Sequence, residues 1–397
     1  MKILTVSDYF LPGYIAGGPV RTLANMRKQL SDRITLAIFT RDRDLGANAC
    51  YPGVVTNQWT DSEDGPVFYA CPRTFGVHGV RRVLKTSTFD AIYLNSFFSP
   101  QSSILICRDL RRRRVHLPLL IAPRGEFSPG ALSVKGTKKK VFLGIARKLE
   151  WYSDVVWHAS TDLERDDILR QFPDAKDRIH VAADPVVSES RDAQSASVPK
   201  KVGCLRLVFI SRISPMKNLD GLLAMLRDVT FSVDLDIFGP VEDGDNWARC
   251  EKIIQTLPTH VNVRNCGSLK PEQVSSTFAE YDLFAFPTLG ENFGHVIFEA
   301  LRGGTPVLIS DLTPWQPDLG GAVTAVALTD VLGWRRALEH AAGRTPDEQR
   351  QVREAALAYA DHYVSSTGSA KANRQMFRAL AAMKPVLRKN SSTIEDT

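Results

Sequence analysis

Twice along this chain, short apolar runs alternate with stretches of helical period, and that alternation limits the fold more than any single residue does. Successive β-α-β units demand a parallel sheet covered by helices, because a strand returns parallel to its predecessor only through a crossover. In the first series, residues 2–7 (KILTVS), 34–40, 91–95 (AIYLN), 117–122 and 155–160 (VVWHAS) read as strands. Helices are expected from about Pro19 to Leu30, around Ile104, Leu105 and Leu110, and from an N-cap at Asp162 through Arg170. In the second series, strands are expected over 205–211 (LRLVFIS), 233–238, 261–265, 283–286 and 306–309. Helices are expected over 219–226, 271–279 and 293–302, and across most of 330–382.

At 397 residues the chain exceeds what one hydrophobic core of about 250–300 residues supports. The break falls in the polar, aperiodic stretch 188–203 (SESRDAQSASVPKKVG). The expected division is a first Rossmann-like domain over 1–190, a linker over 191–203 and a second Rossmann-like domain over 204–375. A C-terminal helix, free to pack back on the first domain, and a mobile tail are expected over 376–397. Hydrophobic residues at 44% and charged residues at 24% exclude a largely disordered, collagenous or multi-span membrane chain. The six cysteines (50, 71, 107, 204, 250 and 266) form no CxxC pair, which argues against zinc or a disulfide framework and fits a reducing cytosol. Asp8 and Pro12 interrupt the first apolar run before it reaches signal-peptide length.

Charge is uneven. The net charge is +6, and residues 101–150 alone hold 12 basic against 3 acidic residues. The cluster includes residues 111–114, Arg124, Lys138, Lys139, Lys140, Arg147 and Lys148. Such a patch suits an anionic partner, either phosphate or an anionic membrane surface, unless it is simply a solvated helix end and loop. Nucleic acid is disfavoured, because no recognised reading module accompanies the charge.

Three segments suggest chemistry. In PTLGENFGHVIFEALRGGTPVLIS (287–310), a strand runs into a loop with Glu291, and a helix carrying Glu299 follows. Asn292 and Gly294 suit a helix start, where free N–H groups favour an anion. Glu291 and Glu299 are eight residues apart, about two helical turns, so both could address one ligand. On spacing alone, two solvated acids are the commoner outcome. In FISRISPMKNL (209–219), Arg212 and Lys217 follow a strand and precede a helix, a plausible diphosphate clamp. In the first β-α loop, Gly17 and Gly18 let the backbone approach a phosphate or sugar, although GxGxxG is absent.

Together these segments resemble the retaining GT-B glycosyltransferases of the group 1 family (GT4). Glu291 to Glu299 resembles its E-x7-E motif, and Leu-Arg-Gly-Gly-Thr-Pro-Val continues it. Ser211-Arg212 with Lys217-Asn218-Leu219 resembles its phosphate loop, with Ser211 replacing glycine. The resemblance implies an α/β GT-B fold of two Rossmann-like, doubly wound domains facing a central cleft. It implies a donor site of Gly17, Gly18, Arg212, Lys217, Gly239, Glu291, Asn292, Phe293, Gly294 and Glu299. Within it, Glu299 would hold the ribose and Glu291 the donor sugar. Arg212 and Lys217 would neutralise the diphosphate, and with Glu291 they form the expected catalytic set. No metal or other cofactor is expected, since fixed cations and helix N-termini can stabilise the leaving diphosphate.

Asn95 stands where the family often carries histidine, and Asp184 where it often has Asn-Gly. PRGEFSPGAL (123–132) with the following lysines is similar to a bacterial polysaccharide subgroup, which implies an acceptor side including Asn95, Arg124, Glu126 and Lys140. The resemblance implies a cytoplasmic enzyme moving sugar from a nucleotide diphosphate sugar to a lipid-linked or other glycan acceptor. It also implies capsule, exopolysaccharide or O-antigen assembly, with peripheral contact to an anionic membrane. The rivals are a phosphorylase or epimerase of the same fold and a non-catalytic nucleotide-sugar-binding subunit. Asp234/Asp236 and Asp243/Asp245 look like DxD metal motifs but lie in a strand and a polar loop, so structural roles are expected. His295 is a weak further candidate, and Trp151, Tyr152 and Trp157 are expected in a core or domain seam.

Overall fold

The computed structural model describes residues 1–134, 136–186 and 199–383. The expected linker 191–203 and the tail therefore lie largely outside the described residues. The chain forms two compact units. The first contains residues 1–126, 137–185 and the C-terminal helix Ser369–Ala382, and the second contains residues 127–136 and 186–368.

In the first unit, eight strands form one sheet in the order β3-β4-β2-β1-β5-β6-β7-β8. They are β1 (Lys2–Val6), β2 (Thr35–Arg41), β3 (Trp59–Ser62), β4 (Gly65–Ala70), β5 (Ala91–Leu94), β6 (Leu119–Ile121), β7 (Val156–Ala159) and β8 (Ile179–Val181). All neighbours are parallel except β3 and β4, an antiparallel edge hairpin that the sequence reading missed. Its first strand (WTDS) is half exposed, so it lacks the continuous apolar run of a buried parallel strand. The helices are α1 (Gly18–Leu30), α2 (Val77–Thr86), α3 (Leu105–Arg112), α5 (Gly136–Lys148) and α6 (Asp162–Gln171), with α4 (Pro129–Ser133) belonging to the second unit. The N-cap of α6 is Thr161, not Asp162: the Thr161 hydroxyl accepts from the Glu164 N–H at 3.1 Å.

Trp157, Phe172, Phe97 and Tyr152 pack together in this unit's core, with Trp157 and Phe172 stacked at 4.9 Å. The C-terminal helix starts at Ser369 rather than at 376 and completes the same unit. Phe377 meets the Tyr93 ring edge-on at 5.5 Å, and Asn373 Nδ2 donates to the Ala183 carbonyl at 2.9 Å.

The second unit is a fully parallel sheet in the order β11-β10-β9-β12-β13-β14. Its strands are β9 (Cys204–Ile210), β10 (Ser232–Phe238), β11 (Val261–Asn265), β12 (Leu283–Phe286), β13 (Val307–Ser310) and β14 (Val323–Val326). Its helices are α7 (Leu219–Met225), α8 (Gly244–Ile254), α9 (Pro271–Phe278), α10 (His295–Arg302), α11 (Val331–Gly343) and α12 (Pro346–Ser366). In each sheet the chain first winds one way and then the other. The reversals fall between β1 and β5 and between β9 and β12. Open α/β sheets bind ligands beyond the strand carboxyl ends at such reversals.

Candidate functional site

The second unit gathers most of the expected donor residues at its β9/β12 reversal. β9 ends at Ile210, so Ser211 and Arg212 emerge there. β12 ends at Phe286, so the loop bearing Glu291 emerges beside it. A single 3-10 turn, Pro215–Lys217, follows β9 and is pinned to that loop: the Leu289 N–H donates to the Met216 carbonyl at 2.8 Å. Asn218 holds a left-handed conformation (φ 56°) and donates through Nδ2 to the Pro287 carbonyl at 2.9 Å. This brings Lys217 into an ion pair with Glu291, both side chains mostly buried, with the ammonium 5.4 Å from the centre of the Phe286 ring. Arg212 is more exposed and pairs with Glu242 at 2.8 Å, a partner with no motif to announce it.

Gly239 is demanded by close backbone approach. Its φ is +139°, and an added Cβ would lie 1.9 Å from the Ser211 carbonyl oxygen. The ends of β9 and β10 thus touch at the base of the Arg212 loop. Gly239→Ala is expected to destabilise the second unit by about 1–3 kcal/mol through strain alone, read as a lowered melting temperature.

The Glu291 loop is braced from the other side as well. The Glu291 N–H donates to the Leu312 carbonyl at 3.0 Å, and Trp315 Nε1 to the Phe293 carbonyl at 2.5 Å. Phe293 itself is 3% exposed and packs on Trp315 and Tyr363, so its side chain is core and only its backbone faces the loop. Gly294, at φ 79°, is the N-cap, and α10 begins only at His295. Glu291 is thus in the loop and Glu299 within α10, so the eight residues between them are not two turns of one helix. Asn292 keeps a buried, unpartnered Oδ1 in the same loop. His295 stacks edge-on against Phe293 at 4.7 Å. The SPGAL segment lies against this loop: a Cβ on Gly130 would sit 2.5 Å from the Leu289 carbonyl oxygen.

One aspartate of each DxD pair has a structural role. Asp236 takes two hydrogen bonds from Arg264 at 2.6 and 2.7 Å and one from the Tyr281 hydroxyl. Asp243 caps α8 by accepting from the Asn246 N–H at 2.8 Å. Among the described residues, no group of three or more His, Cys, Asp or Glu side chains is placed to hold a metal ion.

In the first unit, Gly17 (φ 75°) is the N-cap of α1, with open space where a Cβ would lie, and Gly18 opens the helix. Arg124 and Glu126 both bond to groups within the first unit. Arg124 has a 5% exposed side chain bonded to Asp184, to the Tyr93 hydroxyl (2.6 Å) and to Asn95 Oδ1 (2.7 Å). Glu126 accepts from the Phe97 and Phe98 N–H groups (2.6 and 2.9 Å) and from the Ser96 hydroxyl. Burial raises its pKa against those donors. Its role is to brace the loop after β5. Asn95, at the end of β5, is 5% exposed, and Arg124 holds its oxygen while its Nδ2 has no partner. Lys140 is exposed on α5.

The Arg124 cluster continues inward. Tyr93 meets His158 Nδ1 at 2.8 Å, and His158 Nε2 meets the Ala182 carbonyl at 2.8 Å. A carbonyl can only accept, so Nε2 carries the proton and Nδ1 accepts from Tyr93. Desolvation, with the Arg124 charge adding to it, lowers the His158 pKa to about 4. Sequence reasoning noted Asp184 alone; nothing local showed that it shares a network with His158.

Residues 190–321 match the model for glycosyl transferases group 1. A D-inositol 3-phosphate glycosyltransferase of Rhodococcus erythropolis is 30% identical over 131 residues, 31% of this chain and 29% of that protein. Its counterpart in Streptomyces scabiei is 27% identical over 238 residues, 56% of this chain and 53% of that protein. The chain thus aligns with little more than half of these relatives at most. Among solved structures, the sucrose-phosphate synthase of Thermosynechococcus elongatus superposes with TM-score 0.71 at 15% identity, over 96% of this chain and 99% of that one. HepE of Anabaena, solved with UDP and glucose, superposes with TM-score 0.66 at 16% identity, over 96% and 100%. The chain therefore has the GT-B architecture, two parallel-sheet α/β domains, and carries in residues 190–321 the segment that matches the glycosyl transferases group 1.

Proposed function

We propose that this protein is a metal-independent, retaining glycosyltransferase that moves a sugar from a nucleotide diphosphate sugar to a lipid-linked or other glycan acceptor in bacterial polysaccharide, capsule or O-antigen assembly. The observation that carries the reading is the convergence of Arg212, Lys217 and Glu291 on the β9/β12 reversal, inside the matching segment. Cleavage of the donor builds negative charge on the departing β-phosphate oxygen. A diphosphate offers Arg212 and Lys217 more charge than Glu242 and Glu291 do, so both cations can turn to it and stabilise that charge. Lys217 leaving Glu291 frees that carboxylate to accept from sugar hydroxyls. Attack from the leaving-group face, with the β-phosphate oxygen taking the acceptor's proton, retains configuration without a protein nucleophile. The relatives named for D-inositol 3-phosphate add a phosphorylated polyol to the acceptors to be assayed.

Membrane contact has a structural counterpart. Val141, Ile145 and Leu149, spaced by one helical turn along α5 and just past its end, are 59%, 46% and 54% exposed. Lys138, Lys140 and Lys148 accompany them. An apolar stripe flanked by lysines suits an anionic bilayer surface. Among the described residues, no helix is long and apolar enough to cross a membrane.

The test is calorimetric titration with UDP, GDP and ADP without divalent metal, for the native chain and for Glu299→Ala. One nucleotide should bind selectively, and the substitution should weaken it about tenfold, the loss of a charge-assisted hydrogen bond. Release of that nucleoside diphosphate with a glycosidic product completes the assignment. A folded sample that binds none of the three removes the donor site. Flotation with anionic vesicles should show binding at low salt that fades as salt rises, and no flotation at low salt removes the membrane contact.

A further inference from the structure

The first unit has a concavity remote from its strand carboxyl ends. A cavity of about 470 Å³ lies between α2 and α3, over the segments that lead into β5 and β6. Its floor is apolar: Val80, Leu84, Phe89, Ile106, Leu110 and Leu117 line it, with Val80, Phe89, Ile106 and Leu110 buried. Its rim is cationic. Arg81, Lys85, Arg113 and Arg114 all border it, and the one acid there, Asp109, is taken by Arg81. Lys85, Arg113 and Arg114 form no ion pair among the described residues, and four cations against one acid leave the rim a net charge of +3. Basic residues at the end of α3 also answer its dipole, but that explains neither the apolar hollow nor Lys85 on the neighbouring helix.

We propose that this cavity binds one anionic membrane phospholipid, its acyl chain on the apolar floor and its phosphate on Lys85, Arg113 and Arg114. The size falls in the range of small-molecule sites, roughly 300–1,000 Å³. The apolar floor offers little to read a sugar, and its one aromatic ring, Phe89, is 8% exposed and leaves little face for a base to stack on. An apolar body beneath a triply cationic mouth matches a chain with an anionic head. The site differs from the α5 stripe, which needs only a bilayer surface, and it does not depend on the nucleotide reading.

The experiment is calorimetric titration of the whole protein with monomeric lysophosphatidylglycerol, kept below its micelle concentration. Lysophosphatidylcholine of the same chain length and inorganic phosphate are titrated in parallel. The variants are Leu84→Trp, which fills the floor, and Arg113→Gln/Arg114→Asn, which removes two rim charges. Asparagine is chosen at 114 because that residue has φ 53°, a conformation asparagine tolerates. The expected result is saturable one-to-one binding of the anionic lysolipid, at least about tenfold tighter than the zwitterionic one, and weakened about tenfold by either variant. Thermal melts certify that each variant is folded, and if Leu84→Trp does not fold, the charge variant decides alone. Equal binding of both lysolipids, equal binding of phosphate alone, binding unchanged by the folded variants, or no binding would each overturn the proposal. Vesicle binding with no monomer binding would assign the charge to surface adsorption and overturn it as well.

Discussion

Arg124→Met should lower the unfolding free energy by about 3–5 kcal/mol, the largest stability effect expected of any substitution in the first unit. The methionine fills most of the space but leaves Asp184, 2% exposed, without its counter-charge. The Thr22 hydroxyl, donating to Asp184 at 2.9 Å, cannot replace a guanidinium. Urea melts would read the loss. Adding Asp184→Leu to Arg124→Met should recover a large part of it, because the buried carboxylate is removed along with its counter-charge. A double variant no more stable than the single one would place the cost in packing instead.

The same network makes a pH prediction. His158 has a folded pKa of about 4 against an ordinary 6.5, so the unfolded chain takes up the proton first. The stability it contributes is complete above pH 6.5 and is lost as pH falls towards 4, about 3 kcal/mol in all. The carboxyls of Glu126 and Glu164, raised by burial, act in the opposite sense. The reading is therefore the difference between native protein and His158→Gln in urea melts at pH 7.5 and 5. The native protein should lose more stability on acidification than the variant, and equal losses would mean that His158 titrates normally.

The second large effect is on turnover. Lys217→Ala and Arg212→Ala should each reduce kcat about 10²–10³-fold, since each removes a fixed charge from where the leaving diphosphate develops its own. Lys217→Arg should rescue poorly, because the planar guanidinium does not fit where an ammonium sits between Glu291 and the Phe286 ring. Glu291→Gln separates two meanings of the Lys217 pair. Donor affinity that falls while the fold survives places Glu291 on the sugar. A large drop in melting temperature with unchanged affinity makes the pair a structural strut. Activity of Lys217→Ala within about threefold of native would withdraw its role at the diphosphate.

Most of the parallel strands were legible because each is a local apolar run of a few residues, buried on both faces and bounded by loops. Where one face meets solvent, that signal fades. The edge strand β3, α2 and α8 escaped notice for this reason. Helix starts moved by a residue or two where a cap decided them, as Thr161 does for α6 and Gly294 for α10. The domain division shifted because contacts, not chain order, define a compact unit. Thus residues 127–136 went with the second unit and the C-terminal helix with the first.

The doubly wound α/β class and the loops at the strand carboxyl ends follow from local periodicity and from motifs read in chain order. Which charges meet depends on the folded arrangement. Lys217 and Glu291 are 74 positions apart, and Arg124 and Asp184 are 60 apart. Ion pairs at such separations leave no local pattern, because they depend on strand order and on how far each loop reaches. That is why nothing local in the sequence showed that Arg124 pairs with Asp184, or that Glu126 holds the loop after β5. It is also why the Arg113 and Arg114 charges, an undifferentiated basic run in sequence, became the rim of a cavity.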